Sequence, residues 1–281
     1  MTWVLNTMDG LALRAAVKAL CGITIPPEKD YLLISRLQPV AKASGLRTPS
    51  ELARALGDAT QRELRREAVA AITTHETSFF RDGHPWEALR QVLPERIEAA
   101  RIAGRRLRIW SAACSTGQEP YTLAMVLAEI FRAKPSLGEM PEMIATDICE
   151  RTVTTAAEGS FTDLEINRGL PPPLRDRCFT RRPDGRWQAV AALRGGITFK
   201  RHNLLDSTAT LGRFDLVVLR NVLIYFDRTA RQRILNAIRG SLQPEGMLMV
   251  GASESLSGDV TDLTLVSRGP TNWYTAPAKP T

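Results

Sequence analysis

The chain has 281 residues, 44% apolar and 24% charged, with 37 Lys and Arg against 30 Asp and Glu. This composition suits one large globular domain or two, and no apolar run reaches the roughly eighteen residues of a membrane span. The net charge of +7 and pI near 9.6 favour acidic partners, but the excess is spread along the chain with no long Lys/Arg block, so no nucleic-acid stripe is expected.

The opening stretch, MTWVLNTMDG, lacks the charged-then-apolar layout of a signal peptide, and a cytoplasmic location is expected. Cys21, Cys114, Cys149 and Cys178 are far apart and form no CxxC pair. Buried thiols are expected, with no metal site and no disulfide.

Residues 1–72 read as a separate helical domain. Leu11, Leu13, Ala15, Val17 and Leu20 begin one amphipathic segment, which Pro26 and Pro27 end; Tyr31, Leu32, Ile34 and Leu37 carry a second. Ser50 is the expected N-cap of a short helix, ELARAL. In TQRELRREAVAAI, Arg62, Arg65 and Arg66 stand at i, i+3 and i+4 and share one helix side. Such a face is either solvated beside Glu63 and Glu67 or a docking surface for an acidic helical partner.

Residues 73–106 form a connection. ITTHETSFFRDGHPW gathers His75, Thr77, Phe79, Phe80 and Arg81. The Phe pair must pack on something and holds Arg81 near that surface. The segment is either an anchored hinge or a pocket wall whose Arg grips a carboxylate. A helix over 86–103 follows.

From residue 107 to 281, strands alternate with helices. LRIWSAAC is a strand, STG a tight turn, and QEPYTLAMVLAEIF a helix with Pro120 in its first turn. This unit opens an α/β sheet. The turn has one glycine where a dinucleotide fingerprint has three. Glu119 at the helix start repels phosphate and suits a cationic or hydroxyl-bearing ligand; it also fits as a plain helix-start carboxylate. LGEMPEMIATDI is a second strand ending on Asp147, about thirty residues on, as a βαβ unit requires. An acid there binds ribose hydroxyls or caps the helix ERTVTTAAEG.

Residues 159–196, with PPP at 171–173 and a PDG turn inside RRPDGRW, read as a small hairpin-bearing insertion. GITFKRHNLLD is a strand ending at His202–Asn203–Leu204. RFDLVVLRNVLIYFD holds a strand buried on both faces, with Arg220 and Asn221 at its exit and Tyr225 close behind. RTARQRILNAIRGSLQPEG is a helix stopped by Pro–Gly. MLMVGASESL is another strand with a polar exit, NWYTA a last short strand, and APAKPT a frayed tail.

Glu119, Asp147, His202–Asn203 and Arg220–Asn221 all lie at strand exits along one sheet edge, where open α/β sheets bind ligands. A nucleoside-sized ligand fits this set. Without a phosphate loop, S-adenosylmethionine suits better than ATP or NAD: it has a ribose, an adenine and an amino-acid end, and no phosphate.

Taken together and in order, TTHETSFFRD, SAACSTGQEPYTLAM, ATDI, HNLLD, FDLVVLRNVLIYF and GASESL resemble the chemoreceptor glutamate methyltransferases, the CheR family, over roughly residues 10–275. The resemblance implies an all-α N-terminal domain and a Rossmann-like class I SAM-dependent methyltransferase α/β sheet with a small inserted antiparallel β-subdomain at 159–196. It implies S-adenosyl-L-methionine as cofactor, S-adenosyl-L-homocysteine as product, and glutamates on the cytoplasmic helices of chemoreceptors as acceptors, in chemotaxis adaptation or related signalling. By motif, His75, Thr77, Arg81, Glu119, Asp147, Asn203, Leu204, Arg220 and Asn221 would hold the cofactor between the two domains; family members often have Asn at the place of His75. Arg220 and Tyr225 match the family's substrate end, Arg220 orienting the acceptor carboxylate and Tyr225 hydrogen-bonding it.

The basic face of Arg62, Arg65 and Arg66 would meet the acidic side of receptor helices. In some members the β-subdomain binds a C-terminal receptor peptide; the loop RRPDGR is short relative to those, which counts against tethering here. Two rival readings keep the fold: a methyltransferase with another acceptor, RNA or another protein, and a non-catalytic module that senses the cofactor.

Overall fold

The computed structural model describes residue 3 and residues 5–256, 258–259, 262–268 and 271–278. The N-terminal helices are α1 (Thr7–Cys21), α2 (Asp30–Ala43), α3 (Pro49–Gly57) and α4 (Arg62–Ile72). They bury Leu13, Val17, Leu33, Leu37, Leu52 and Ile72 in one cluster. Of the expected stripes, Leu13, Val17 and Leu37 are enclosed, while Leu11 and Tyr31 are 56% and 61% exposed. The N-cap of α3 is Thr48, not Ser50. Thr48 forms a capping box with Glu51 and leaves Pro49 in the first turn, where it lacks no needed N–H. The Ser50 hydroxyl binds Asp9 instead.

Two arginines of the expected basic face on α4 also have partners within the molecule, though Arg66 stays half-exposed. Arg65 donates to the Leu56 carbonyl at 2.7 Å. Arg66 pairs with Glu150 at 3.3 Å. Arg62 alone of the three keeps clear of such a partner among the described residues.

α5 (His84–Ile102) begins two residues earlier than expected and leads into β1 (Arg108–Ala112). Then follow α6 (Gln118–Ala133), β2 (Glu142–Asp147) and α7 (Glu150–Glu158). The insertion holds β3 (Ser160–Phe161), α8 (Asp163–Asn167), α9 (Pro172–Cys178), β4 (Phe179–Arg181), β5 (Trp187–Ala189) and α10 (Ala191–Arg194). The chain returns through β6 (Ile197–Arg201), β7 (Phe214–Leu219), α11 (Arg228–Ser241), β8 (Leu242–Val250), β9 (Thr264–Arg268) and β10 (Thr271–Thr275).

The main sheet has the order β6-β2-β1-β7-β8-β10-β9, and the insertion forms a three-stranded sheet, β3-β5-β4. β1 pairs in parallel with β2 on one side and β7 on the other, the point where a doubly wound sheet reverses its strand order. β10 runs antiparallel to β8 and β9. The insertion's strands pair antiparallel, as expected.

Several strand limits differ from the sequence reading. β6 stops at Arg201, one residue short of His202, and β9 was not anticipated. The Pro–Gly pair does not stop α11. The helix ends at Ser241, and Pro244 and Gly246 lie in a β8 bulge where pairing with β7 jumps from Phe214↔Leu242 to Leu216↔Met247. Proline is tolerated at a bulge because the ladder is already interrupted there. The tail is tied back at its start: the Ala276 N–H donates to the Gly246 carbonyl at 2.9 Å. Residues 279–281 of the expected frayed tail lie outside the described residues.

The helical domain grips the sheet domain at two places. On one side Ile23 bridges Phe226, the Thr24 N–H donates to the Tyr225 carbonyl at 2.8 Å, and Lys18 pairs with Asp227 at 2.6 Å. On the other, Arg66–Glu150 and Glu67–Arg151 join α4 to α7. No helix among the described residues is long and apolar enough to cross a membrane.

Candidate active site

Between these two grips lies a cleft of about 1100 Å³, open to solvent, at the carboxyl ends of β1, β2, β6 and β7. All ten anticipated residues meet there. His75, Thr77 and Arg81 come from the connection. Glu119 and Asp147 come from the first two strand exits. Asn203, Leu204, Arg220, Asn221 and Tyr225 come from the exits of β6 and β7.

Backbone strain is concentrated around the cleft. Among the described residues six non-glycines have positive φ. Ala113, Ser115 and Asn221 line the cleft, Phe80 and Asp82 flank Arg81, and only Glu245 lies elsewhere, in the β8 bulge. Such conformations cost about 1–3 kcal/mol each and persist where surrounding contacts hold them. Gly117 closes the turn after β1 with φ 99°; a Cβ there would stand 3.0 Å from that of Ala156 in α7, so the turn needs glycine twice over.

Asp147 serves the head of α7, one of the two jobs that its position allowed, and faces the cleft. Its carboxylate accepts from the Cys149 N–H at 3.0 Å, at the head of α7, and from the Ser115 N–H at 2.9 Å, across the β1 turn. The oxygen facing Cys149 also accepts from the Thr152 hydroxyl at 3.4 Å, and the oxygen facing Ser115 keeps a further lone pair.

Arg220 lines the cleft and is engaged within the protein. Its side chain is 1% exposed, paired with Asp82 at 2.7 Å and Glu119 at 3.2 Å, and it also donates to the Arg81 carbonyl. The guanidinium stacks 5.2 Å from the Trp86 ring centre. Two acids pair with it, and it ties Glu119 to the 81–82 backbone, while its Nε has no hydrogen-bond partner. Glu119 also accepts from the Ser111 hydroxyl at 2.8 Å. Burial pushes its carboxyl pKa up, against the pull of Arg220 and Ser111. Tyr225 is half-buried in the cleft lining, and its backbone carbonyl is held by Thr24.

His75 lies within 3.0 Å of the Thr73 hydroxyl. Burial works to lower its pKa, but a hydrogen bond with the Cys149 thiol and the charge of Asp147 carry it above the usual value. The same contact lowers the Cys149 pKa in spite of burial. A raised histidine pKa means that the charged form is favoured in the fold. The resulting stability is fully present below the unfolded value, about 6.5, and is lost as pH rises through the folded value. His75→Asn is therefore expected to melt below the parent at pH 5.5 and to converge with it at pH 9, followed by thermal denaturation. A gap that widens with pH would contradict the assignment.

Sequence reasoning missed Asp82, Trp86 and Glu254. Asp82 and Trp86 stood in the quoted connection but lacked a partner until Arg220 reached them. Glu254 stood in GASESL, where nothing local marked it.

Residues 75–271 match the CheR methyltransferase SAM-binding domain, and residues 8–73 match the CheR methyltransferase all-alpha domain. The chain is 44% identical over 249 residues to chemotaxis protein methyltransferase 1 of Pseudomonas aeruginosa, spanning 87% of this chain and 89% of that protein. It is 39% identical over 257 residues to a chemotaxis protein methyltransferase of Pseudomonas putida, spanning 90% and 92%. It is also 39% identical over 250 residues to the chemotaxis protein methyltransferase of Vibrio parahaemolyticus, spanning 89% and 90%. These likenesses run through the helical domain, the doubly wound sheet and the cleft at its switch point, and the chain belongs to the CheR family of SAM-dependent chemotaxis protein methyltransferases, with the class I methyltransferase fold.

Proposed function

We propose that this protein transfers a methyl group from S-adenosylmethionine to glutamate side chains on the cytoplasmic helices of chemoreceptors, forming methyl esters, and that it works in the cytoplasm. The observation that carries the reading is the cleft: Asp147 and Asn203 stand at strand exits beside a turn with no phosphate cradle, and Tyr225 lines the same cleft. Bound S-adenosylmethionine supplies an electrophilic methyl on a cationic sulfonium.

The division of the chain follows: 1–72 helical, 73–106 connecting, 107–281 binding the cofactor, with 159–196 inserted. Asp147 accepts from the ribose hydroxyls. Asn203 has its carbonyl oxygen engaged by the Leu205 N–H at 3.1 Å, which leaves its amide N–H groups for an adenine edge above Leu204. Glu119, Arg81, His75 and Thr77 face the amino-acid end, and Asn221 supports it from the β7 exit. The glutamate acceptor is ionised at neutral pH and needs no general base. The enzyme's task is alignment, an effect worth on the order of 7–11 kcal/mol at most. The Tyr225 hydroxyl orients the acceptor carboxylate by a single hydrogen bond and leaves it nucleophilic. Arg220 acts behind it as a positioning residue. With Arg65 engaged internally, Arg62 and the half-exposed Arg66 are what α4 still offers to an acidic receptor helix.

Labelled methyl groups from S-adenosylmethionine are expected to enter chemoreceptor-containing membranes and to be released as methanol by mild base. Label that stays through base treatment, or appears only in RNA or in other proteins, would overturn the acceptor. Tight cofactor binding without transfer to any acceptor would point to a sensing module.

A further inference from the structure

Glu254 is 4% exposed, and its carboxylate pairs with no basic side chain among the described residues. Four backbone N–H groups surround it. Asn221 donates at 2.7 Å and Gly251 at 2.9 Å to one oxygen; Val222 donates at 3.1 Å and Leu223 at 2.9 Å to the other. Three of these donors are consecutive residues of the β7 exit loop.

Turning three successive N–H groups toward one point demands an unusual backbone, and Asn221 has φ 56°. Asparagine tolerates this region better than most residues, but it is not adopted without support. With the N–H groups turned inward to Glu254, the side chains of Asn221, Val222, Ile224 and Tyr225 line the cleft. Leu223 is meanwhile fully buried and anchors the single helical turn 223–225. Gly251 completes the arrangement: a Cβ there would lie 2.7 Å from the Glu254 carboxylate and 3.1 Å from the Asn221 nitrogen.

We propose that Glu254 is a positioning residue for methyl transfer. It substitutes one fixed carboxylate for the water that would otherwise solvate the β7 exit loop, and so holds Asn221 against the cofactor and the Tyr225 hydroxyl against the acceptor. A buried carboxylate satisfied only by backbone donors sets geometry without bringing a cation into the site, which suits a reaction whose electrophile is already cationic. This inference rests on the roles given to Asn221 and Tyr225 above.

Glu254→Gln tests it, because the amide has the same shape but must turn an NH₂ donor toward two backbone donors. The kcat at saturating cofactor, per cofactor-binding site, is expected to fall about 10- to 100-fold, the loss that goes with one or two misplaced polar contacts. In that background Tyr225→Phe should cost nothing further. Amide hydrogen exchange at 221–223 should quicken while that of α6 stays as in the parent.

A merely structural glutamate would lower the melting temperature and leave kcat per site and the Tyr225→Phe effect intact; that result overturns the proposal. If Glu254→Gln does not fold, Gly251→Ala displaces the same carboxylate by crowding. The same losses are expected from it, and parental kcat with slow exchange at 221–223 overturns the proposal. Should Tyr225→Phe prove silent in the parent, the role of Tyr225 fails on its own. The exchange measurement then decides Glu254 separately: faster exchange in Glu254→Gln supports it, and unchanged exchange sinks it.

Discussion

Arg220→Ala is expected to lose cofactor affinity and turnover together. The substitution leaves Glu119 with the Ser111 hydroxyl alone and removes the donor that holds Asp82 and the Arg81 carbonyl. Removing one partner of a buried ion pair costs about 3–5 kcal/mol, because the charge left behind is neither solvated nor paired. Part of this loss falls on the fold, and a drop on the order of 10 °C in melting temperature is expected for a domain of this size. The rest falls on the cleft, since Glu119 and Arg81 line it. Titration calorimetry with S-adenosylhomocysteine should show Kd raised about 10- to 100-fold, equivalent to roughly 1.4–2.7 kcal/mol. Adding Glu119→Gln should recover stability without recovering turnover. An unchanged Kd with lost turnover would instead return Arg220 to the acceptor-clamping role that its sequence position suggests.

Asp147→Asn should act mainly on cofactor binding. The amide cannot accept from both the Ser115 and the Cys149 N–H groups while also serving a ribose hydroxyl. Hydrogen bonds to a charged group contribute about 1.5–3 kcal/mol each, so the Kd for S-adenosylhomocysteine is expected to rise on the order of 10²-fold. At saturating cofactor kcat should suffer far less, because Asp147 touches neither the acceptor nor the loop that bears Tyr225. A lowered melting temperature with unaltered Kd would reduce Asp147 to a helix-start carboxylate for α7.

The strand exits were legible because of a simple regularity. Buried parallel strands read as continuous apolar runs, and the polar residue that ends each run stands at the carboxyl edge of the sheet. IATD, FDLVVLRN and the SAACSTGQEP turn all obeyed it, and their residues meet in one cleft. Helix faces were less legible. In α1 and α2, Leu13, Val17 and Leu37 are enclosed while Leu11 and Tyr31 of the same expected stripes stand exposed. The Pro–Gly pair misled because a helix stop and a bulge use the same residues for the same reason: both interrupt a hydrogen-bond ladder.

Local sequence determined which groups this protein brings to its sheet edge, and in what order. That follows from side-chain period and chain direction, which are properties of neighbouring residues. Only the tertiary structure decided what those groups do to one another. Arg220 meets Glu119 and Asp82 across 101 and 138 positions of chain. Glu254 reaches back 31 to 33 positions to fix the loop that bears Tyr225. Coulombic and hydrogen-bond energies depend on separation in space and on exclusion of water, and neither is written in the spacing of residues along the chain. The arginine that the family resemblance assigns to the substrate end is, once folded, paired with two acids far from it in the chain.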